Sequence, residues 1–375
     1  MLIFIFSLPD FFQSIKQIQK KYLFGFVLLL LSLLIGLAGA QNFGAGIYGV
    51  VKFLEFSFLV YFVGKNYIIL NKTMLFICIF ASVIFEALLA FLQYLNQGSL
   101  GGIFYLFGER AFSAETPGIA NASINGQLFL RPYATFSHPN VLAGFLVLSM
   151  LFLFLFSFKN RNLQACLLLG LFSGTAVLLL TLSRAAIFLW LIYLLVLFGL
   201  WVFEKYKKGK FNSSQLTLSI LIFTTVAVFV ILQNNFISQR FLTTKLSDES
   251  LIQRQELVTE SLNMLWKSPI LGVGINNFFN NLNIVSSKEN TFLIQPVHNI
   301  FLLILSEIGL IGFCFAFLVL CKSLVVSVRK VRARKYLLMM IFAVIFLGMF
   351  DHYFLTLQQG QLLFSLVLGI SLSKS

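Results

Sequence analysis

The chain has three histidines, His138, His298 and His352, and histidine is the ordinary proton acceptor near neutral pH. Each stands where a long apolar run meets a polar stretch. That position suits a proton-transfer group at a membrane edge, and equally an interfacial anchor or a helix cap. The arginines form a second group. Arg184 follows Leu182 and Ser183 between two apolar runs joined by almost no loop, which brings its guanidinium out at the membrane edge. A snorkelling or turn-stabilising arginine would sit there too, but a charge held so close to lipid is costly and points first to function. Arg254 lies in an amphipathic stretch with Glu256 and Glu260 nearby, where a solvated helix face is the other reading. Arg131 opens Arg-Pro-Tyr-Ala-Thr-Phe-Ser-His-Pro-Asn, and Asp351 adjoins His352.

Acids inside the apolar runs need partners or protons. Lys52 and Glu55 are three residues apart on one helix face and neutralise each other. Glu86 and Glu307 have no partner nearby in sequence. Glu307 follows His298 by nine residues, and at about 100° per residue it points away from that histidine, which argues against a direct dyad. The only aspartates are Asp10, Asp248 and Asp351, so there is no Asp-x-Asp pair; no Walker loop and no His-Glu-x-x-His occur either. Nucleotide-driven and zinc chemistry lack their motifs. Cys78, Cys166, Cys314 and Cys321 lie in or beside apolar runs, where disulfides and cysteine metal sites are not expected.

The elements that must position these groups are membrane helices. Of 375 residues, 59% are hydrophobic and 11% charged, with a mean hydropathy of +0.93, whereas about a quarter of a soluble domain is charged. Apolar runs at 22–40, 44–63, 74–95, 140–158, 163–182, 185–203, 215–232, 298–320, 336–350 and 357–372 predict an all-α, polytopic transmembrane bundle of about ten helices. Met1 to Leu8 lacks the charge and small-residue site of a cleaved signal and reads as a short interfacial or truncated segment. A formal charge of +14 would ordinarily suggest a nucleic-acid partner. With both termini in the cytoplasm, however, the basic clusters at 205–210 and 322–335 become cytoplasmic, as the positive-inside rule expects, and no nucleic acid is needed. Two external loops are then long, Asn96 to Pro139 and Gln233 to Val297, a length that usually signals function or disorder. The second contains an amphipathic helix, with Ser250 and Gln253 as a capping box and an apolar stripe ending before Pro269.

Four ordered stretches resemble the O-antigen ligase and polymerase superfamily of membrane glycosyltransferases. They are Arg131 to Asn140, Leu180-Thr-Leu-Ser-Arg-Ala-Ala186, the run from Arg254 through Trp266-Lys-Ser-Pro-Ile-Leu-Gly-Val-Gly-Ile-Asn-Asn-Phe278, and Val297 to Gly312; Asp351-His-Tyr also fits. The resemblance implies one integral membrane domain over 1–375 with a GT-C-like architecture and a large extracytoplasmic loop at 233–297. It implies transfer or polymerisation of glycan from a polyprenyl-diphosphate donor onto a glycan, lipid or protein hydroxyl at the outer face of the cytoplasmic membrane, without metal or other cofactor. Arg184 and Arg254, helped by Arg131, would stabilise the departing diphosphate, and His298 would be the base. His138 and His352 are its runners-up and, with Arg131 and Asp351, candidates for substrate binding; Asp351 could also orient either ring. Glu307, Gly309 and Gly312 would serve helix packing. A transporter or flippase of lipid-linked glycans is the alternative, kept open by Glu55, Glu86 and Glu307 within the runs.

Overall fold

The computed structural model describes residues 20–67, 69–124, 127–156, 160–208, 223, 249–282, 295–329 and 334–373. Apart from residue 223, the run at 215–232 lies outside the described residues, as do the segment at 1–8 and parts of the 233–297 loop. Four helices are long and apolar enough to cross a membrane, and several shorter apolar helices accompany them, so the chain is a mostly helical, multi-pass membrane protein. It divides into two compact units, one formed by 1–69 with 247–375 and the other by 70–246.

The first unit contains α1 (Lys20–Ala38), α2 (Phe43–Asn66), α7 (Glu249–Lys267), α8 (Ile300–Arg329), α9 (Arg334–Gly348), the short α10 (Tyr353–Thr356) and α11 (Gln358–Leu372). Small residues let helix backbones approach closely in lipid, and this is how α2 meets α11. A Cβ on Gly369 would lie 2.7 Å from Val63 Cβ, and one on Gly64 3.3 Å from the Gly369 carbonyl oxygen. Leu29, Leu33 and Leu37 of α1 pack with Val50 of α2 and with Ile308 and Phe315 of α8. The amphipathic helix expected in the second loop is α7. It begins at Glu249, one residue before the serine expected to cap it.

The second unit contains α3 (Lys72–Asn96), α4 (Pro139–Leu153), α5 (Arg161–Leu180) and α6 (Arg184–Lys208). Almost every residue of α4 is buried, as befits a helix that is apolar all round. Gly170 and Gly174 bring α5 close to Phe80 and Val83 of α3 and to Leu153 and Met150 of α4. Trp190 of α6 donates to Thr175 Oγ1 of α5 at 3.1 Å. Between α3 and α4 the chain forms a 3-10 helix, Gly102–Phe107, and an antiparallel hairpin of β1 (Asn121–Ile124) and β2 (Gln127–Leu130). This segment, expected as an external loop, folds back along α3.

Candidate active site

In the first unit, His298 precedes α8 and the turn at 349–352 precedes α10. Asn299 joins them. Its Oδ1 accepts the Phe301 and Leu302 N–H groups at 2.9 and 3.1 Å, a cap that satisfies the first donors of α8. Its Nδ2 donates to the Met349 carbonyl at 3.3 Å. The result is a cluster of ionisable side chains drawn from separate stretches of the sequence. His298 Nδ1 lies 3.6 Å from Asp351 Oδ1, and the His298 and His352 ring centroids are 5.1 Å apart. Asp351 Oδ1 also accepts the His352 backbone N–H at 2.8 Å, and His352 Nδ1 is 2.6 Å from Thr356 Oγ1. The buried His298 Nδ1 makes no hydrogen bond to any described residue.

Burial pushes the His352 imidazole down to about 4; Asp351 opposes this, while His298 and Arg254 reinforce it. His352 is therefore neutral at physiological pH, and the Arg254 charge is felt within the cluster. Tyr353 adjoins it, its phenol held protonated by burial and by Asp351, with no hydrogen-bond partner among the described residues. Arg254 gets its place from α7, which is fixed on α8. Leu257 and Met264 pack with Phe278, Val297 and Leu303, and Ser261 Oγ donates to the Leu302 carbonyl at 3.2 Å. His298, Asp351 and His352 each offer a ligand atom, all within 4.8 Å of one another. Two imidazoles and a carboxylate at that spacing are the donor set of a divalent transition metal, so the same three side chains are those that could hold one.

The loop after α7 is anchored on a break in α8. Gly309 has φ 67° inside the helix, so the ladder is interrupted and backbone groups there need other partners. Val273 and Gly274 donate to the Ser306 and Glu307 carbonyls at 2.9 and 3.0 Å, and the Leu310 N–H donates to the Pro269 carbonyl at 2.9 Å. The Glu307 carboxylate accepts the Asn276 N–H at 3.0 Å and the Phe278 N–H at 3.1 Å. Glu307 thus points into the loop. Helix packing does not describe Gly309: a Cβ there would lie 2.3 Å from the Ile270 carbonyl oxygen, and one on Gly272 2.3 Å from the Glu307 carbonyl carbon. These glycines permit a helix break covered by a docked loop.

In the second unit the sequence candidates are differently disposed. The nearly buried Arg131 donates from Nε to the Thr181 carbonyl at 2.7 Å and from Nη2 to Asn140 Oδ1 at 2.9 Å, tying the chain after β2 to the end of α5 and the start of α4. His138 caps α4, its Nδ1 accepting the Asn140 N–H at 3.1 Å. This is one of the roles its position allowed. Arg184 opens α6 on the exposed side of a tight turn. Leu182 there has φ 52°, and Thr181 and Ser183 are buried. The structure thus gathers His298, Asp351, His352 and Arg254 in one unit, while Arg131 and His138 share Asn140 in the other.

Asn299, Thr356 and Tyr353 are neighbours of the cluster that residue-type reasoning passes over. For Asn299 a signal existed, since an Asn immediately before an apolar run is a helix cap. The other two are visible only once the 349–356 turn is folded.

No curated protein matches the chain significantly. Residues 167–317 match the family model of the O-antigen ligase, a stretch that begins in α5, ends in α8 and includes Arg184, Arg254, His298 and Glu307. Three of the resembling stretches fall inside it in the expected order, so over this part of its length the chain is similar to the O-antigen ligase family.

Proposed function

We propose that the protein is a membrane glycosyltransferase that moves glycan from a polyprenyl-diphosphate carrier to an acceptor hydroxyl at the outer face of the cytoplasmic membrane, with both termini in the cytoplasm. The observation that carries this reading is the cluster of His298, Asp351 and His352 in the field of Arg254. His298 presents Nδ1 to Asp351, which leaves Nε2 to take the proton of the acceptor hydroxyl. The acceptor oxygen bonds to the anomeric carbon as the bond from that carbon to the diphosphate oxygen breaks, and the diphosphate leaves on its lipid. Negative charge grows on the leaving group, and a guanidinium stabilises it bidentately. Arg254 is assigned that task. Asp351 orients His298, and neutral His352 contacts sugar. The reaction asks nothing of a metal, so activity should persist in excess chelator.

The transporter reading leaned on acids within the spans. Glu55 is paired with Lys52 at 2.8 Å, and Glu86 and Glu307 bind backbone N–H groups, which gives all three a structural occupation. Purified protein in liposomes, supplied with a polyprenyl-diphosphate oligosaccharide and an acceptor, should release free carrier diphosphate. His298→Ala should abolish release and leave donor binding intact. Movement of labelled donor between leaflets with no new glycosidic bond would overturn the reading in favour of transport.

A further inference from the structure

The 3-10 helix at Gly102–Phe107 exposes a continuous apolar surface: Leu106 is 84% exposed, Ile103 63% and Phe107 59%. Two contacts set its depth. The Phe107 ring lies 5.4 Å from that of Phe85, and Glu86 accepts both the Thr135 N–H at 3.1 Å and the Thr135 hydroxyl at 2.6 Å. Phe85 and Glu86 lie near the middle of the 25-residue α3, about 16 Å below its C-terminal end at a rise of about 1.5 Å per residue. The apolar, exposed face of α3 continues past that level through Leu88, Phe91 and Leu95, so an exposed apolar face extends alongside the segment.

Non-helical backbone survives at membrane depth only when protein satisfies its polar groups, and here buried side chains satisfy several of them. Gln93, fully buried, accepts the Tyr133 and Ala134 N–H groups and donates to the Ala134 carbonyl and to Glu109. Glu109 in turn accepts the Leu100 and Gly101 N–H groups at 2.9 and 2.8 Å. The next helix fits the same arrangement. At 15 residues, α4 is about 22 Å long, short of a hydrocarbon core of about 30 Å, and it starts just beyond Thr135.

We propose that residues 97–124 and 127–138 belong to a re-entrant segment seated in the leaflet at the C-terminal end of α3, with Ile103, Leu106 and Phe107 packed against phospholipid acyl chains. The segment is a membrane anchor, whatever reaction the protein performs. In a chain whose four cysteines are replaced by alanine, a nitroxide is attached at Leu106→Cys, at Ile103→Cys or at Glu115→Cys, and the protein is placed in liposomes of phospholipid alone. Collision with oxygen should exceed collision with a water-soluble nickel chelate severalfold at 103 and 106, and the order should reverse at exposed Glu115. Nickel-dominated relaxation at both 103 and 106 would overturn the proposal by showing water there. Access by neither reagent would overturn it equally, by showing protein.

Discussion

Glu307 of the first unit and Glu86 of the other are alike in sequence, each a lone acid in an apolar run, yet they hold different things. Glu307 spans two backbone N–H groups, those of Asn276 and Phe278, and sits beside a helix break whose glycines touch the docked loop. Glu86 binds one backbone N–H and one hydroxyl, both of Thr135, and its neighbour Gln93 shares the work along an unbroken α3. Where a membrane protein admits irregular backbone, the surrounding side chains must replace water as its partner. Intramembrane acids here mark such places. An acid in a span is therefore weak evidence for transport until its partners are known.

The sharpest way to break this comparison is through the glycines. Gly309→Ala puts a Cβ into the Ile270 carbonyl at a left-handed backbone position and should cost more than about 3 kcal/mol, seen as loss of monodisperse protein. Gly102→Ala is also at positive φ, but nothing lies within 4 Å, so a loss of about 1 kcal/mol in thermal unfolding is expected. Equal effects would mean that the docked loop does not press on α8.

Next come the acids themselves. Glu307→Ala leaves two buried N–H groups unpaired, at about 1–3 kcal/mol each, whereas the Thr135 hydroxyl can turn elsewhere after Glu86→Ala. Thermal unfolding should rank Glu307→Ala as the more damaging, and hydrogen exchange should accelerate at Asn276 and Phe278 in that variant alone. A smaller effect is expected from Asn299→Ala, which removes the cap of α8 and the tie to Met349. A loss of about 1 kcal/mol should accompany a larger drop in turnover than in donor binding, measured by carrier release and by equilibrium binding. The last test is a pH effect. His352 is depressed to about 4 by burial, so between about 6.5 and about 4 the unfolded chain binds the proton that the folded chain refuses. Stability should rise with pH across that window, and His352→Phe should flatten the rise in urea midpoints taken from pH 4 to 7.

Much of the architecture was legible without coordinates. A membrane bundle follows from composition and run length, because the bilayer leaves the chain few options. The Lys52–Glu55 pair follows from helical periodicity, and α7 was visible from its apolar stripe. The candidate site was legible only by residue type. That His298 meets Asp351 and His352 could not be read from spacing, since more than 50 residues and a hairpin of helices separate them. Arg131 shows the opposite case, a guanidinium in a promising motif that turns inward to Thr181 and Asn140.

What the sequence by itself determined is therefore where the chain is apolar, which ends of its runs bear charge, and which local pairs and caps form, since these depend on period and solvent alone. Tertiary structure alone decided which irregular segments pack alongside which helix. That choice is made by pairing distant backbone N–H groups with Glu86, Gln93 and Glu307, and by the close approach that Gly272 and Gly309 permit. No local rule of sequence encodes a hydrogen bond between residues so far apart.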